Sequence, residues 1–293
     1  MFPASFEFYR AQSPEEAVSL LAEHGDEARI LAGGQSLIPA MRYRLAQPTA
    51  LIDINGMENM NYLSTENGHL RVGPLARATD VEFNSELRAK YHLLSDVAEV
   101  VADPIVRFRS TLVGSLCHND PSGYWTAAAI AARARVIIQN KTSKRSVDMD
   151  AFVVDSYTTA VEDGEMAIEA LWPTPGERTA GSYQKIERKV GDYATAAAAV
   201  QLELNEDDTV KTAGIGITAV SYMPLRVSAG EDLLNGQRVT RELIKEVAAE
   251  ASAIADPLSD GRGSAAYKKE VVGVLVARGI LKSLERLGVA VEA

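Results

Sequence analysis

The stretch LAGGQSLIPAMRYRLAQPTALIDI, residues 31–54, decides how the fold begins. The apolar run Ala28 to Ala32 reads as a short buried strand. Two adjacent glycines follow it, and Leu37 to Leu45 then carries the apolar spacing of a helix. Pro48 breaks that helix, and Leu51-Ile-Asp-Ile54 is a second strand. Strand, helix and strand at this spacing imply parallel pairing through a crossover. The turn between them, Ala32-Gly33-Gly34-Gln35-Ser36, can be read in two ways. Residues without a Cβ let backbone amides approach a pyrophosphate, the serine adds a donor, and the following helix start favours anions. A plain tight turn needs the same glycines, and spacing alone leaves both readings open.

Working outward, Ser13-Pro14-Glu15-Glu16 predicts a helix start, with Ser at the N-cap, Pro at the first position and Glu closing a capping box. Gly25 ends that helix. Downstream, Leu70 to Val72 reads as a strand, Thr79-Asp80 as a helix cap, and Leu93 to Ala102 as a helix that Pro104 terminates. A glycine-containing loop, Thr111 to Gly123, leads into an alanine-rich helix, Ala127 to Ala134. Strands follow near Val136 to Ile138 and Ala167 to Leu171. Trp172-Pro-Thr-Pro-Gly176 looks like a boundary. Beyond it Gly181 to Arg188, Thr195 to Leu204 and Val210 to Val220 come consecutively and suggest an antiparallel meander. Gly214 and Gly216 lie within the last of these, where they are expected to let sheets approach each other. Two helices close the chain, capped near Thr240 and starting near Ser264. The fold class is α+β, with domains expected over residues 1–176 (subdomains about 1–56 and 57–176) and 177–293.

Composition narrows the function classes. The chain has 293 residues, 46% of them hydrophobic and 24% charged, which is that of a globular protein. A formal net charge of −10 argues against a sequence-independent nucleic-acid binder. No apolar run reaches the ~18 residues of a membrane span, and the start lacks a secretory leader pattern. One cysteine, Cys117, excludes an internal disulfide and an iron–sulfur cluster held by this chain alone. His24, His69, His92 and His118 are scattered without metal spacing. Neither a G-x-G-x-x-G turn nor a lysine-bearing phosphate loop is present. The cytoplasm is the expected compartment, and no catalytic residue or metal ligand is assigned to this chain.

Ala32-Gly-Gly-Gln-Ser36, followed by Leu-Ile-Pro-Ala-Met-Arg-Tyr-Arg-Leu-Ala-Gln-Pro and Leu-Ile-Asp-Ile, resembles the FAD-binding medium subunit of molybdenum hydroxylases. This is the xanthine oxidase family in its three-subunit bacterial form, which includes aerobic carbon monoxide dehydrogenase, whose medium subunit this sequence resembles, and dehydrogenases of N-heterocycles. The resemblance continues through Thr111-Leu-Val-Gly-Ser115, Lys189-Val-Gly-Asp-Tyr-Ala-Thr-Ala-Ala-Ala-Ala199 and Ser259-Asp-Gly-Arg-Gly263, in order and over nearly the whole chain. It implies a vanillyl-alcohol-oxidase-type (PCMH) FAD-binding domain of two α/β subdomains. A C-terminal domain with a three-stranded antiparallel sheet and helices completes that fold. Carried over by position, Ala32, Gly33, Gly34, Gln35, Ser36 and Leu37 form one FAD loop, and Thr111, Gly114 and Ser115 form the other. Asp120 matches an acidic position near the cofactor, Val101 an apolar wall by the isoalloxazine, and Tyr193 a tyrosine on the ring's other side. Arg107, Arg109, Lys185, Arg188 and Lys189 are left between the flavin and a partner surface.

Three positions depart from the family. Val113 stands where a glycine is usual, so a positive φ there would strain the loop. Tyr124 replaces a frequent aspartate that can bond the ribose, and Ala167 replaces a leucine at the flavin edge. The resemblance implies non-covalent FAD and an electron-transfer role. Electrons would come from [2Fe–2S] clusters of a small subunit, with the substrate oxidised at a molybdenum–pterin centre on a large subunit. They would leave to an external acceptor, in a dimer of heterotrimers. A free-standing flavin oxidoreductase and a flavin-free bridging subunit are the competing readings. Valine at Gly33 or Gly34 is expected to abolish flavin retention by filling the pyrophosphate's place, with the fold intact.

Overall fold

The computed structural model describes residues 2–291. Residues 1, 292 and 293 of the expected domains lie outside the described residues. The chain opens with β1 (Glu7–Arg10), α1 (Pro14–His24), β2 (Ala28–Leu31), α2 (Leu37–Arg42) and β3 (Ala50–Asp53). Ser13 caps α1, its hydroxyl accepting from the Glu16 N–H at 3.2 Å. The Glu16 carboxylate accepts from the Gln12 N–H at 2.7 Å, one residue before the expected capping-box partner. β2 pairs in parallel with β3, Ala28 opposite Ala50, as the crossover requires. β1 pairs in parallel on the other edge of β3. α1 buries Ala17, Val18 and Leu21, which join Ala50, Ile52 and Ile54 in one apolar cluster.

Next come β4 (Leu63–Glu66), β5 (His69–Val72), α3 (Ala78–Glu82), α4 (Ser85–Lys90), α5 (His92–Val100), α6 (Pro104–Arg109), α7 (Leu112–His118) and α8 (Tyr124–Ala131). β6 (Arg135–Gln139), β7 (Lys144–Asp148), α9 (Met149–Phe152), β8 (Val153–Asp155), β9 (Thr158–Thr159) and β10 (Met166–Pro173) follow. The second sheet has the order β4-β5-β10-β6-β7. Three local expectations are corrected here. Thr79 and Asp80 lie inside α3, where Asp80 reaches back to accept from the Arg77 N–H at 2.7 Å. Pro104 starts a helix instead of only ending one, because Asp103 accepts from the Val106 N–H at 2.9 Å and proline suits the first helical position. Thr111 to Gly123 is not all loop: Thr111 caps α7, and the helix runs through Gly114 and Ser115.

The last part holds β11 (Thr179–Ile186), β12 (Ala196–Leu204), β13 (Val210–Thr218), β14 (Leu225–Arg226), α10 (Ser228–Leu234), α11 (Arg241–Ile254) and α12 (Ala265–Leu287). β11, β12 and β13 form the expected antiparallel meander, and the two-residue β14 extends it. Thr240 and Ser264 cap α11 and α12, accepting from the N–H of Leu243 and Tyr267. Gly214 and Gly216 serve a helix, not a second sheet. A Cβ on either would lie 1.8 Å from the Ala131 carbonyl oxygen or 2.2 Å from that of Ala127, so α8 rests directly on β13. This explains the alanines of α8, all of whose residues are buried. The meander therefore packs onto the part carrying the glycine loops. Arg286 of α12 adds a link, donating to both Asp96 oxygens at 2.7 and 2.8 Å, while Asp96 also accepts from the Tyr183 N–H.

Candidate functional site

The first glycine loop leaves β2 at Leu31 and is held by Asn55. Its amide nitrogen donates to the Ala32 carbonyl at 2.8 Å and to Asp53 at 2.6 Å. Gly34 has φ +73°, a conformation that side chains resist, so the chain turns there. The Gly34 and Ser36 carbonyls are used by the Ile38 and Ala40 N–H groups at the start of α2. By contrast, the N–H groups of Gly33, Gly34, Gln35 and Ser36 donate to no acceptor among the described residues. The Ser36 hydroxyl makes no cap either. Four successive donors without protein partners, Gly33 buried and the next three half-buried beside a tight turn, fit an anionic ligand with several oxygens.

The second loop reaches the first at the backbone. Thr111 Oγ1 accepts from the Gly114 N–H at 3.2 Å, and a Cβ on Gly114 would sit 2.4 Å from that oxygen. A Cβ on Gly33 would meet the Arg109 carbonyl oxygen at 2.5 Å and the Ser110 Cα at 2.9 Å. Gly33 is thus glycine so that the loops can touch, and a valine there would push on protein before it reached a ligand. The expectation of an intact fold with valine at Gly33 is corrected accordingly. Arg77 ties the loops together, donating to the Arg109 carbonyl at 2.5 Å and to Asn55 Oδ1 at 2.6 Å. The Ala78 N–H bonds the Ser110 carbonyl, and the Leu112 N–H bonds that of Ala76. Neither Asn55 nor Arg77 was among the expected site residues. Asn55-Gly56 carries a turn signal, but nothing local marks Arg77. Val113 is buried in α7 without a positive φ, so the strain expected of a β-branched residue is absent.

Of the remaining positions, Asp120 lies just beyond the end of α7. Asp120 Oδ1 accepts from the Ser122 N–H at 2.8 Å, and its other oxygen accepts from the Tyr157 hydroxyl at 3.4 Å. His118 Nε2 is 3.8 Å from that oxygen, and burial holds the imidazole below its ordinary pKa. Tyr193 is 46% exposed. Burial of its hydroxyl, then the charge of Asp120 and the nearby Tyr157, raise its pKa, so the phenol is protonated at neutral pH. The Arg262 guanidinium lies over the Tyr193 ring at 5.8 Å. Val101 ends α5, nearly buried, with its carbonyl accepting from Arg107 at 3.0 Å. A Cβ on Gly191 would lie 3.2 Å from the Ala102 carbonyl oxygen, so the segment carrying Tyr193 passes beside the Val101 turn. Ala167 is buried in β10 opposite Ile138.

The basic side chains separate by contact. Arg107 pairs with Glu82 at 2.8 Å, both largely buried. Lys185 is 4% exposed, donates to the Val100 carbonyl at 3.1 Å and pairs with Glu187. Arg188 reaches the Gly261 carbonyl at 2.8 Å. Burial pushes the Cys117 thiol up to about 12, so it is no thiolate nucleophile.

Residues 4–175 match the family described as the FAD binding domain in molybdopterin dehydrogenase. Residues 181–283 match the CO dehydrogenase flavoprotein C-terminal domain. The chain is 35% identical over 280 residues to the carbon monoxide dehydrogenase medium chain of Hydrogenophaga pseudoflava, covering 96% of this chain and 97% of the relative. It is 33% identical over 281 residues to the glyceraldehyde dehydrogenase medium chain of Sulfolobus acidocaldarius, covering 95% and 98%. Among solved structures, the Hydrogenophaga pseudoflava carbon monoxide dehydrogenase superposes with a TM-score of 0.94 at 35% identity, over 98% of this chain and 99% of that one. Quinoline 2-oxidoreductase from Pseudomonas putida 86 gives 0.89 at 28% identity, again over 98% and 99%.

Proposed function

Because the chain belongs to the family of FAD-binding medium subunits of molybdenum-dependent dehydrogenases, we propose that it is the electron-exit subunit of such a complex. A small chain with [2Fe–2S] clusters supplies the electrons, and a large chain with the molybdenum–pterin centre oxidises the substrate. Two copies of each chain form the assembly, which works in the cytoplasm. The relatives' names span carbon monoxide and glyceraldehyde, which suits a subunit that does not choose the substrate. FAD, when bound, supplies the two-electron chemistry that links the clusters to an external acceptor.

The observation that supports this reading best is the run of partner-free amides from Gly33 to Ser36, its first residue held against the Arg109–Thr111 backbone at the start of α7. These amides and the Ser36 and Ser115 hydroxyls hold the diphosphate without a lysine, as suits a chain of net charge −10. Thr111 acts through α7, since its hydroxyl already caps that helix. Ala32 and Leu37 flank the loop, Val101 gives an apolar wall, and Asp120 and Tyr193 form a polar rim. Helical Val113 removes one of the two departures that made a flavin-free bridging subunit conceivable. The test is the assembled complex before and after stripping of FAD. Substrate should still reduce the iron–sulfur clusters in the stripped complex, while reduction of the external acceptor stops. Acceptor reduction that survives without flavin rejects the role.

A further inference from the structure

Tyr124 opens α8 with 7% exposure. Its hydroxyl donates to the Asp192 carbonyl at 3.0 Å, across to the segment that joins β11 to β12. Its ring lies 6.4 Å from that of Tyr193, and the Lys185 ammonium sits 4.6 Å from its centroid. Lys185 in turn donates to Val100, so the Tyr124 ring is fixed on one side by the end of α5. The segment Arg188–Tyr193 has little else of its own. It contains no helix or strand, Gly191 has φ +86°, and Arg188, Lys189 and Val190 are exposed. Its other ties run to the Ser259–Gly263 turn. Arg188 donates to the Gly261 carbonyl, and Arg262 lies 3.5 Å from Asp192 and over the Tyr193 ring. The Arg188 tie is exposed and the Arg262 contact is long and half-exposed, so both are weak, whereas the Tyr124 bond is shorter and comes from a buried side chain.

We propose that Tyr124 is a positioning residue, whose hydroxyl latches the Arg188–Tyr193 segment onto the FAD-binding part of the chain and so sets where the Tyr193 ring lies. The Ser259–Gly263 motif is then the outer brace of the same segment. The last step, that Tyr193 borders the flavin, rests on the proposed function; the latch itself does not. Loss of the hydroxyl leaves the half-buried Asp192 carbonyl without this donor, and one such bond corresponds to about a fivefold change in how often the segment opens.

The test is Tyr124→Phe, which keeps the ring, its burial and its contact with Lys185. Trypsin recognises Arg188 and Lys189 in the exposed part of the segment. In the flavin-free chain, cleavage after these two residues should be about fivefold faster than in the parent, with other sites unchanged. In the FAD-loaded chain, flavin fluorescence should rise as the tyrosine leaves the ring. Tyr193→Phe, which keeps the latch, should cleave at the parent rate. Unchanged cleavage in Tyr124→Phe, or acceleration spread over sites throughout the chain, overturns the latch. Faster local cleavage with unchanged flavin fluorescence overturns the placement of Tyr193. A parent chain that binds no FAD defeats the proposed function, while the flavin-free digestion still decides the latch.

Discussion

Replacement of Gly33 by alanine tests the contact on which both glycine loops depend. The added Cβ would lie 2.5 Å from the Arg109 carbonyl oxygen, 2.9 Å from the Ser110 Cα and 3.1 Å from the Thr111 nitrogen, where ordinary contact begins at 3.4 Å. The loops must therefore part by about 0.9 Å. All three obstacles are backbone, and they are anchored by Arg77, Ala78 and Leu112. Overpacking against atoms that cannot rotate away belongs at the upper end of the usual range, about 3 kcal/mol. That is a fall of about 5–10 °C in the unfolding midpoint of the flavin-free chain. Gly34→Ala is the internal comparison. Its φ of +73° costs roughly 1 kcal/mol with a side chain present, but its nearest obstacle is the Ile38 Cδ1 at 2.7 Å, the end of a flexible side chain. Thermal unfolding of both flavin-free variants, with FAD affinity from fluorescence quenching, is the assay. Gly33→Ala should be the more destabilised by about 2 kcal/mol and should bind FAD at least about tenfold more weakly. A Gly33→Ala chain as stable as the parent, or more stable than Gly34→Ala, refutes the reasoning.

Thr111→Ala removes the α7 cap and should cost about 1 kcal/mol in denaturant unfolding, while Thr111→Ser restores most of it. Asp96→Ala strands Arg286 and the Tyr183 N–H together and should cost about 2 kcal/mol, read as a lower unfolding midpoint. Glu165 is held below the usual carboxylate range first by the hydrogen bonds of Arg145. A depressed carboxylate stabilises the fold above its unfolded pKa, and that stability disappears as the pH falls through the folded one. Glu165→Gln should therefore be less stable than the parent at pH 7, and the difference should shrink below about pH 4.5. A gap of constant size from pH 7 to pH 3 would contradict the ion pair.

The parts legible in the sequence are those whose cause is local. An apolar run, a glycine pair and a proline mark β2, α2 and β3, because strand, turn and breaker act within a few residues. The caps at Ser13, Thr240 and Ser264 are legible for the same reason. β1 has no apolar alternation to reveal it, since it lies at a sheet edge with most of its residues exposed. α7 was hidden by Gly114 at its centre, a poor helix former that its cap makes necessary. Gly33 was legible as a glycine requirement but not as a loop-to-loop contact, because Arg109 is remote in sequence. Arg77 is invisible for that reason too, and Asn55 shows a turn signal but not its remote partner, Ala32. Tyr124 could be flagged as a departure from the family, yet its partner, Asp192, emerges only once α8 lies against the meander.

The central claim is that the backbone amides from Gly33 to Ser36 grip the diphosphate of FAD. Selective 15N-glycine labelling with proton–nitrogen correlation spectra during an FAD titration reads those donors directly. The account predicts that the Gly33 and Gly34 amide protons move downfield in step with flavin binding, while Gly25 and Gly236, in turns elsewhere in the chain, stay in place. Saturating flavin that leaves Gly33 and Gly34 unmoved would contradict it.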